Sequence, residues 1–582
     1  MTRDPVPSGR PRRRPSLRGA ARAVAHLLPS PRDEALAWIG RDIAAFVAGR
    51  EPKRPARRVD APDPALFEQI RADLDDDRPA EALARIDAGL AERPANVRLL
   101  SLRRFTLSRL GELNASLDAL ADLRAVADEP GLGRVERETV ARLVETDPRW
   151  LPRIPGPVQP VEPRPGVVLH LLKESVPHRQ TGFTTRSQYM VLAQRDAGLT
   201  PVVVTPPGFP RNAGVAGAPA LEIVDGIRYH RLDPGGAYPD DRPDDLALRD
   251  HSWLAARVAR AERPAVIHAA SGPRGSDGAL VGLALGAHLR VPVVYEMRSF
   301  FEGTWSSNAD AGENAEYARR RWAAETRAML AVDAVVTLSE TMRREVIERG
   351  VAEDRVVVVA NGVDVDFFAP RPRDAALADR LGLTGRAVFG YLGNLDHARE
   401  GQELLVEATA RLRARGRAAA CLLVGDGARR GELEALAATR GVADAVVFAG
   451  QVPHDEVPAY YAQFNVFVVP RRDDRAARFV TPLKPFEALA SGLPLVVSDL
   501  PALVEVAAPD ERGLRFPAGD VDGLVAVLER VLDDTSLARR LGAAGRAWVT
   551  AQRTWASNGH RYRDLYARLG VRLPGPEGPD AG

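Results

Sequence analysis

In the run RRDDRAARFVTPLKPFEALASGLPLVVSD, an apolar strand ending at Pro470 leads through a basic loop to a helix that begins near Pro482. This order of residue types suits a phosphate followed by a ribose. The first N–H groups of the helix and the positive end of its dipole, over Thr481 to Lys484, could cradle a diphosphate. Lys484 adds a full charge, and Arg471 and Arg472 could assist. Glu487 stands one turn beyond Lys484 on the same face, where a carboxylate can accept hydrogen bonds from both hydroxyls of a ribose. Phosphate and ribose contacts together specify a nucleotide. The competing account is an ordinary surface pair of Lys484 and Glu487, and the proline-flanked entry and SGLPLVVSD weigh against it.

Such a helix needs a sheet to hold it. From Val167 onward, short apolar runs alternate with amphipathic stretches: VVLHLL, PVVVT, AVIHA, VPVVY, AVVTL and RVVVV, then AVFGYL, ACLLV, AVVFAG, NVFVVP and LPLVVS. This alternation predicts an α/β fold of two tandem Rossmann-like, doubly wound lobes, over 167–372 and 373–550, joined near VDVDFFAPRPRD. Their strand ends would face one cleft. Residues 551–573 form a C-terminal helix expected to return to the first lobe, and 574–582 a disordered tail.

Ahead of the lobes, LPRIPGPVQPVEPRPG makes 151–166 a proline-rich linker, and 62–150 reads as all-α. There DRPAEALARIDAGL at Asp77 and GELNASLDALADLR at Gly111 recur at the 34-residue spacing of tetratricopeptide repeats, with Ala82, Ser116 and Gly89 at small positions and Pro94 closing the first copy. This segment resembles that family without its large aromatic positions. Two repeats leave an apolar face that a partner protein, flanking helices or the lobes must cover. Residues 1–61 form a basic, proline-rich arm, expected to be flexible, that could touch anionic lipid headgroups at a membrane.

Bulk properties exclude several classes. Eighty basic against 78 acidic residues argue against a nucleic-acid partner, and Cys421 as the only cysteine excludes internal disulfides and cysteine-rich metal sites built from this chain alone. No apolar run approaches the roughly 18 residues of a membrane span, so a cytoplasmic chain is expected. No metal site is expected: Asp240/Asp241 and Asp473/Asp474 lack histidine partners at ligand spacing. GDGARRG lacks the spacing of a dinucleotide fingerprint, and no cofactor is expected beyond a nucleotide-sugar co-substrate.

The region 167–570 resembles the family four retaining glycosyltransferases of the GT-B fold, especially bacterial members with TPLKP before the glutamate. The likeness takes in TLSETMRREVIERG, VVVVANGVDVDFFAP, FGYLGNL, LLVGDG, VVFAGQVPHDEVPAYYAQFNVFVVP and WASNGHRYRDLY. It implies that Glu487 binds the donor ribose, Lys484 the phosphates, and Gly393 with Asn394 the loop beneath the diphosphate, while Gly425 and Gly427 approach the base. It also implies retention of anomeric configuration and no obligatory metal. In HRQTGFTTRS, Gly182 and Arg186 match the glycine loop such enzymes lay along the cleft. Arg298, in YEMRSFFEGTW, takes the place of a cleft histidine and could stabilise charge at the anomeric carbon. Glu296 and Glu302 frame it, either to orient the acceptor hydroxyl or to neutralise Arg298.

Two departures stand out. Phe479, beside Arg478, replaces a glutamate that many relatives place near the sugar. Asn394 and Glu400 replace a common Arg and Lys, so phosphate charge must come from elsewhere, with Arg399 or Arg471 as candidates. The expected function is transfer of a sugar from a nucleoside-diphosphate donor to a hydroxyl of a glycan or lipid-linked acceptor in bacterial surface glycan synthesis. The alternatives are a non-catalytic scaffold on the same fold, or a sugar-nucleotide epimerase or hydrolase.

Overall fold

Valine- and leucine-rich runs become strands here because β-branched side chains pack well on a sheet buried on both faces. In a computed structural model the described residues are 64–127, 131–232, 238–239, 241–301 and 314–574. The N-terminal arm, Glu302 and all of the tail except Pro574 lie outside them.

The first sheet holds β1 (Val167–Leu171), β2 (Thr200–Thr205), β3 (Leu221–Val224), β4 (Ile227–Arg231), β5 (Val266–Ala270), β6 (Val293–Glu296), β7 (Ala334–Thr337) and β8 (Val356–Val358). Its order is β3-β4-β2-β1-β5-β6-β7-β8, parallel except for the antiparallel β3–β4 pair. The second sheet holds β9 (Ala387–Leu392), β10 (Ala419–Val424), β11 (Val446–Gly450), β12 (Val466–Val469), β13 (Leu495–Ser498) and β14 (Gly513–Phe516), all parallel, in the order β11-β10-β9-β12-β13-β14. This is the GT-B arrangement of two Rossmann-like sheets.

Strands β3, β4 and β14 are not among the apolar runs of the sequence. On β3, Leu221 and Ile223 stay largely exposed, so the edge strand never acquires a continuous apolar run. Its turn was nonetheless encoded: Asp225 and Gly226 both take positive φ, at 50° and 79°, as a two-residue hairpin requires.

By internal contacts the described residues fall into two units, those within Met1–Leu143 and Trp305–Ala318, and those within Val144–Thr304 and Arg319–Gly582. In the first, helices Pro64–Asp75, Pro79–Glu92, Val97–Arg109 and Leu113–Val126 are followed by Leu132–Glu145. Ile70, Ala82, Ile86 and Leu99 form one small core, and Leu100, Leu120, Leu123 and Leu132 the next. Gly89 is small for a packing reason, since a Cβ there would come 3.0 Å from both Leu66 and Leu99. Among the described residues no helix is long and apolar enough to cross a membrane.

The second unit contains both sheets. Its last helix, Trp555–Arg568, packs on helix Gly182–Asp196 and drives Tyr562, Leu565 and Tyr566 into the core beside β1, β5 and β6. The approach is close: a Cβ at Gly559 would meet the Ala193 carbonyl oxygen at 2.1 Å. Gly559→Ala is therefore expected to cost about 1–3 kcal/mol and lower the thermal midpoint, as overpacking does. Gly431→Ala, on a helix where a Cβ meets nothing within 4 Å, should leave the midpoint unchanged or raise it. Equal midpoints for both variants would contradict this packing.

Candidate active site

Helix Lys484–Ala490 follows β12 and is entered through Pro482, with Pro485 in its first turn. It has only seven residues, so its end acts through individual N–H groups more than through a macrodipole. Of the expected cradle, Pro482 and Pro485 have no N–H to give. The N–H groups of Leu483 and Lys484 have no partner among the described residues. The Thr481 Oγ1 is also buried without one.

Glu487 is half-buried, and the Tyr461 hydroxyl donates to its Oε2 at 2.7 Å, which fixes the carboxylate's orientation. Burial raises the Glu487 carboxyl above the ordinary carboxylate range, opposed by the Tyr461 bond and by the charges of Lys484 and His454. Burial likewise lowers Lys484, whose amine makes no ion pair among the described residues. Beneath it the loop after β9 passes close, since a Cβ at Gly393 would come 2.9 Å from the Tyr391 ring and 3.0 Å from Lys484 Cε. Gly425 and Gly427 serve a second close approach. A Cβ at Gly425 would strike the Gly393 carbonyl oxygen at 2.0 Å, and one at Gly427 would lie 2.5 Å from the Leu395 carbonyl carbon. The loops after β9 and β10 thus touch backbone to backbone. Asn394 is exposed, with its side chain hydrogen-bonded to Asp396.

The loop arginines depart from expectation. Arg471 is buried and donates to both oxygens of Glu400, at 2.9 and 3.2 Å, and to the Val480 carbonyl at 3.0 Å. Glu400 also accepts from Tyr391 at 2.6 Å. Burial works against its charge, but Arg471, Lys484 and Tyr391 bring its pKa down to about 2. Arg472 pairs with Glu403, and Arg399 lies 3.7 Å from Glu400. Arg471 and Arg472 are thus held by two glutamates and leave Lys484 as the unpaired cation of this loop. Asp473 and Asp474 are also used locally, the first by Arg478 and the second as the cap of helix Arg475–Phe479.

On the first lobe Glu296, Arg298 and Arg186 are joined in one buried network, which matches the ion-pair alternative for Glu296 and places Arg186 on a helix instead of in a loop. Glu296 is 0 % exposed, and it accepts from Arg186 Nε at 3.0 Å, Arg298 Nε at 2.7 Å, His268 Nε2 at 3.1 Å and the Tyr562 hydroxyl. Its four acceptor directions are filled, so it has none left for an acceptor hydroxyl. Burial opposes its charge, but Arg186, Arg298 and His268 hold its pKa well below the carboxylate range. His268 donates from Nε2 because the ionised Glu296 can only accept, and its Nδ1 faces the Tyr566 hydroxyl at 2.8 Å. Arg298 is buried, bonded also to the Phe183 carbonyl and Ser187, and lies 4.3 Å over the Phe183 ring. Arg186 is on a helix, because Thr181 and Thr184 form a capping box that begins the helix at Gly182.

Through Asn361 the same Arg186 is linked to the other lobe. Its Nη1 donates to Asn361 Oδ1 at 3.0 Å, and Asn361 Nδ2 donates to the Thr481 carbonyl at 2.9 Å. A buried chain of hydrogen bonds thus runs from Glu296 to the loop that precedes Lys484. Near it, a Cβ at Gly182 would lie 3.9 Å from Leu483, and Ser339 Oγ donates to the Phe479 carbonyl at 3.1 Å. The carboxyl edges of the two sheets therefore face each other across one cleft. Phe479 does not stand in for a sugar-binding glutamate: it packs on Phe300 of the first lobe with centroids 4.8 Å apart. Sequence reasoning singled out neither Tyr461 nor Asn361, whose roles arise from contacts 26 and 120 residues away along the chain.

Two outcomes follow. Glu296→Ala leaves Arg186 and Arg298 buried without their counter-charge, and is expected to cost about 3–5 kcal/mol of stability, read as a lower denaturation midpoint. A variant as stable as the parent but inactive would make Glu296 catalytic instead. For Glu487 the sign is opposite. A raised native pKa favours the protonated form, so its stabilisation exists below the unfolded pKa and is lost as pH rises through the native one. At neutral pH the ionised group is a burden. Glu487→Gln, which keeps an acceptor for Tyr461, should unfold at the same or a higher temperature while losing nucleotide affinity, and a large fall in midpoint would refute this reading.

Comparison with known proteins agrees with this geometry. The family "Glycosyl transferase 4-like domain" matches residues 181–362 and "Glycosyl transferases group 1" matches residues 386–534, together more than half of the chain. The GDP-mannose-dependent alpha-(1-6)-phosphatidylinositol monomannoside mannosyltransferase of Mycolicibacterium smegmatis is 34% identical over 207 residues, 35% of this chain and 54% of that protein. This match spans about half the relative's length. The GDP-mannose-dependent alpha-mannosyltransferase of Mycobacterium tuberculosis is 28% identical over 390 residues, 66% of this chain and 93% of that one. Sucrose-phosphate synthase from Thermosynechococcus elongatus shares the fold with a TM-score of 0.58 at 23% identity, over 70% of this chain and 99% of that one. With both lobes matched in order on a GT-B fold, the chain belongs to the group 1 glycosyltransferases.

Proposed function

We propose that this chain transfers a sugar, with retention, from a nucleoside-diphosphate donor to a hydroxyl of a glycan or lipid-linked acceptor. The observation that carries the reading is the Tyr461-oriented carboxylate of Glu487, one turn beyond the unpaired amine of Lys484. Glu487 would accept from the ribose hydroxyls. Lys484, the N–H groups of Leu483 and Lys484, and the Thr481 hydroxyl would receive the diphosphate.

In this mechanism the leaving diphosphate gathers negative charge as its bond to the anomeric carbon breaks, and these donors stabilise it where it forms. A departing phosphate oxygen takes the proton of the attacking hydroxyl on the same face. Configuration is then retained without a protein nucleophile. Glu296 and Arg298 act on this step only by holding helix Gly182–Asp196 and, through Asn361, the Thr481 loop. The family resemblance supports retention and the absence of an obligatory metal, and the mannosyltransferase relatives make GDP the first nucleotide to try. The phosphatidylinositol monomannoside in the name of one of them favours a lipid-linked acceptor.

A non-catalytic scaffold is the second reading, favoured by one observation: Glu400 and Glu403 consume the loop arginines. Calorimetric titration with GDP, UDP and their sugar conjugates separates the two. Binding of one nucleotide, reduced at least tenfold in Glu487→Ala, supports the enzyme, and no binding of any to the parent protein supports the scaffold. Product analysis in excess EDTA then tells transfer from epimerisation or hydrolysis and tests metal independence.

A further inference from the structure

Only three of the 80 basic residues are lysines: Lys53, Lys173 and Lys484. Lys53 lies outside the described residues. The other two stand at the same cleft, one in each lobe. Arginine serves everywhere else in the described residues, on surfaces, in caps and in buried pairs. Lysine differs from it as a compact point charge on a thin stem, where arginine presents a wide planar fork. A chain so committed to arginine keeps lysine where the small ammonium itself is needed, and Lys484 already has such a place above Gly393.

Lys173 follows the end of β1 by two residues. In the first sheet β1 lies between β2 and β5, the point where strand order reverses, and a crevice for ligands opens outside the strand ends at such a point. The Lys173 ammonium lies 4.8 Å from the Phe183 ring and 5.5 Å from the Phe301 ring. Phe183 is the neighbour of Gly182, which abuts Leu483 across the cleft. Among the described residues Lys173 makes no hydrogen bond or ion pair. The adjacent carboxylate, Glu174, is taken by Arg179 at 3.2 Å and by Thr181 at 3.0 Å. Asp277, the next acidic neighbour, is taken by Arg274 at 2.9 Å. Arg298, close by, shares the single carboxylate of Glu296 with Arg186. Among the described residues of the crevice, Lys173 is thus a half-buried positive charge between two aromatic rings that no carboxylate pairs directly.

We propose that Lys173 is a substrate-binding residue of the acceptor side and receives an anionic group, a phosphoryl or a carboxylate, carried by the acceptor. This rests on the glycosyltransferase reading above, in which Lys484 serves the donor. It narrows the acceptor to an anionic glycan or glycolipid.

The scarcity of lysine makes the test direct. Reductive 13C-methylation keeps the charge and yields three lysine side-chain resonances, assigned with Lys173→Arg and Lys484→Arg. The full-length protein is titrated with glycerol 3-phosphate against glycerol, with glucuronate against glucose, and with GDP and UDP. A saturable shift of the Lys173 resonance with glycerol 3-phosphate or glucuronate, absent with the neutral counterpart, is the expected result, and which anion acts tells phosphoryl from carboxylate. The proposal is overturned if that resonance ignores both anions, or moves only with a nucleoside diphosphate, which would make Lys173 a donor group. A Lys484 resonance that ignores every nucleotide would instead defeat the donor reading, so the two failures are distinguishable.

Discussion

One buried carboxylate holds much of this molecule in place. Ionised Glu296, with no exposed surface, is sustainable only because Arg186, Arg298, His268 and Tyr562 together replace the water it has lost. Each partner comes from a different part of the chain: helix Gly182–Asp196, the segment after β6, strand β5 and the C-terminal helix. A mutual requirement of this kind fixes relative positions, because no partner can move without exposing an unpaired charge to a low-dielectric interior.

The constraint passes to the second lobe through Asn361, whose amide accepts from Arg186 and donates to the Thr481 carbonyl. Other contacts across the cleft run parallel to it. Glu505 accepts from the N–H groups of Glu340 and Thr341, at 3.1 and 3.2 Å, so a side chain of one lobe satisfies the first turn of a helix in the other. Arg475 meets Glu345 at 2.7 Å, and Phe479 rests on Phe300. The replacement of a glutamate by Phe479 thus turns a sugar-side position into part of the interlobe contact.

Charge is distributed in the same spirit. Arginines are paired almost wherever they are buried, and the loop after β12, rich in them, has its cationic character cancelled by Glu400 and Glu403. The two lysines among the described residues stand beside a glycine loop in one lobe and between phenylalanines in the other.

Local patterns in the sequence were sufficient for the two-lobed α/β architecture, since continuous valine-rich runs can be satisfied only inside parallel sheets. They were sufficient too for setting Lys484 and Glu487 one turn apart on a proline-entered helix. Half-exposed β3 and short β14 escaped because they lack such runs. The residues around Arg298 could not be assigned from sequence at all. A glutamate two positions from an arginine reads the same whether it lines a cleft or lies beneath it, and the difference came from Arg186, His268 and Tyr562, up to 266 residues away. The sequence by itself determined which backbone could form each strand and helix. Only the tertiary structure decided which charges face water and which face each other, because desolvation depends on neighbours that the local chain does not contain.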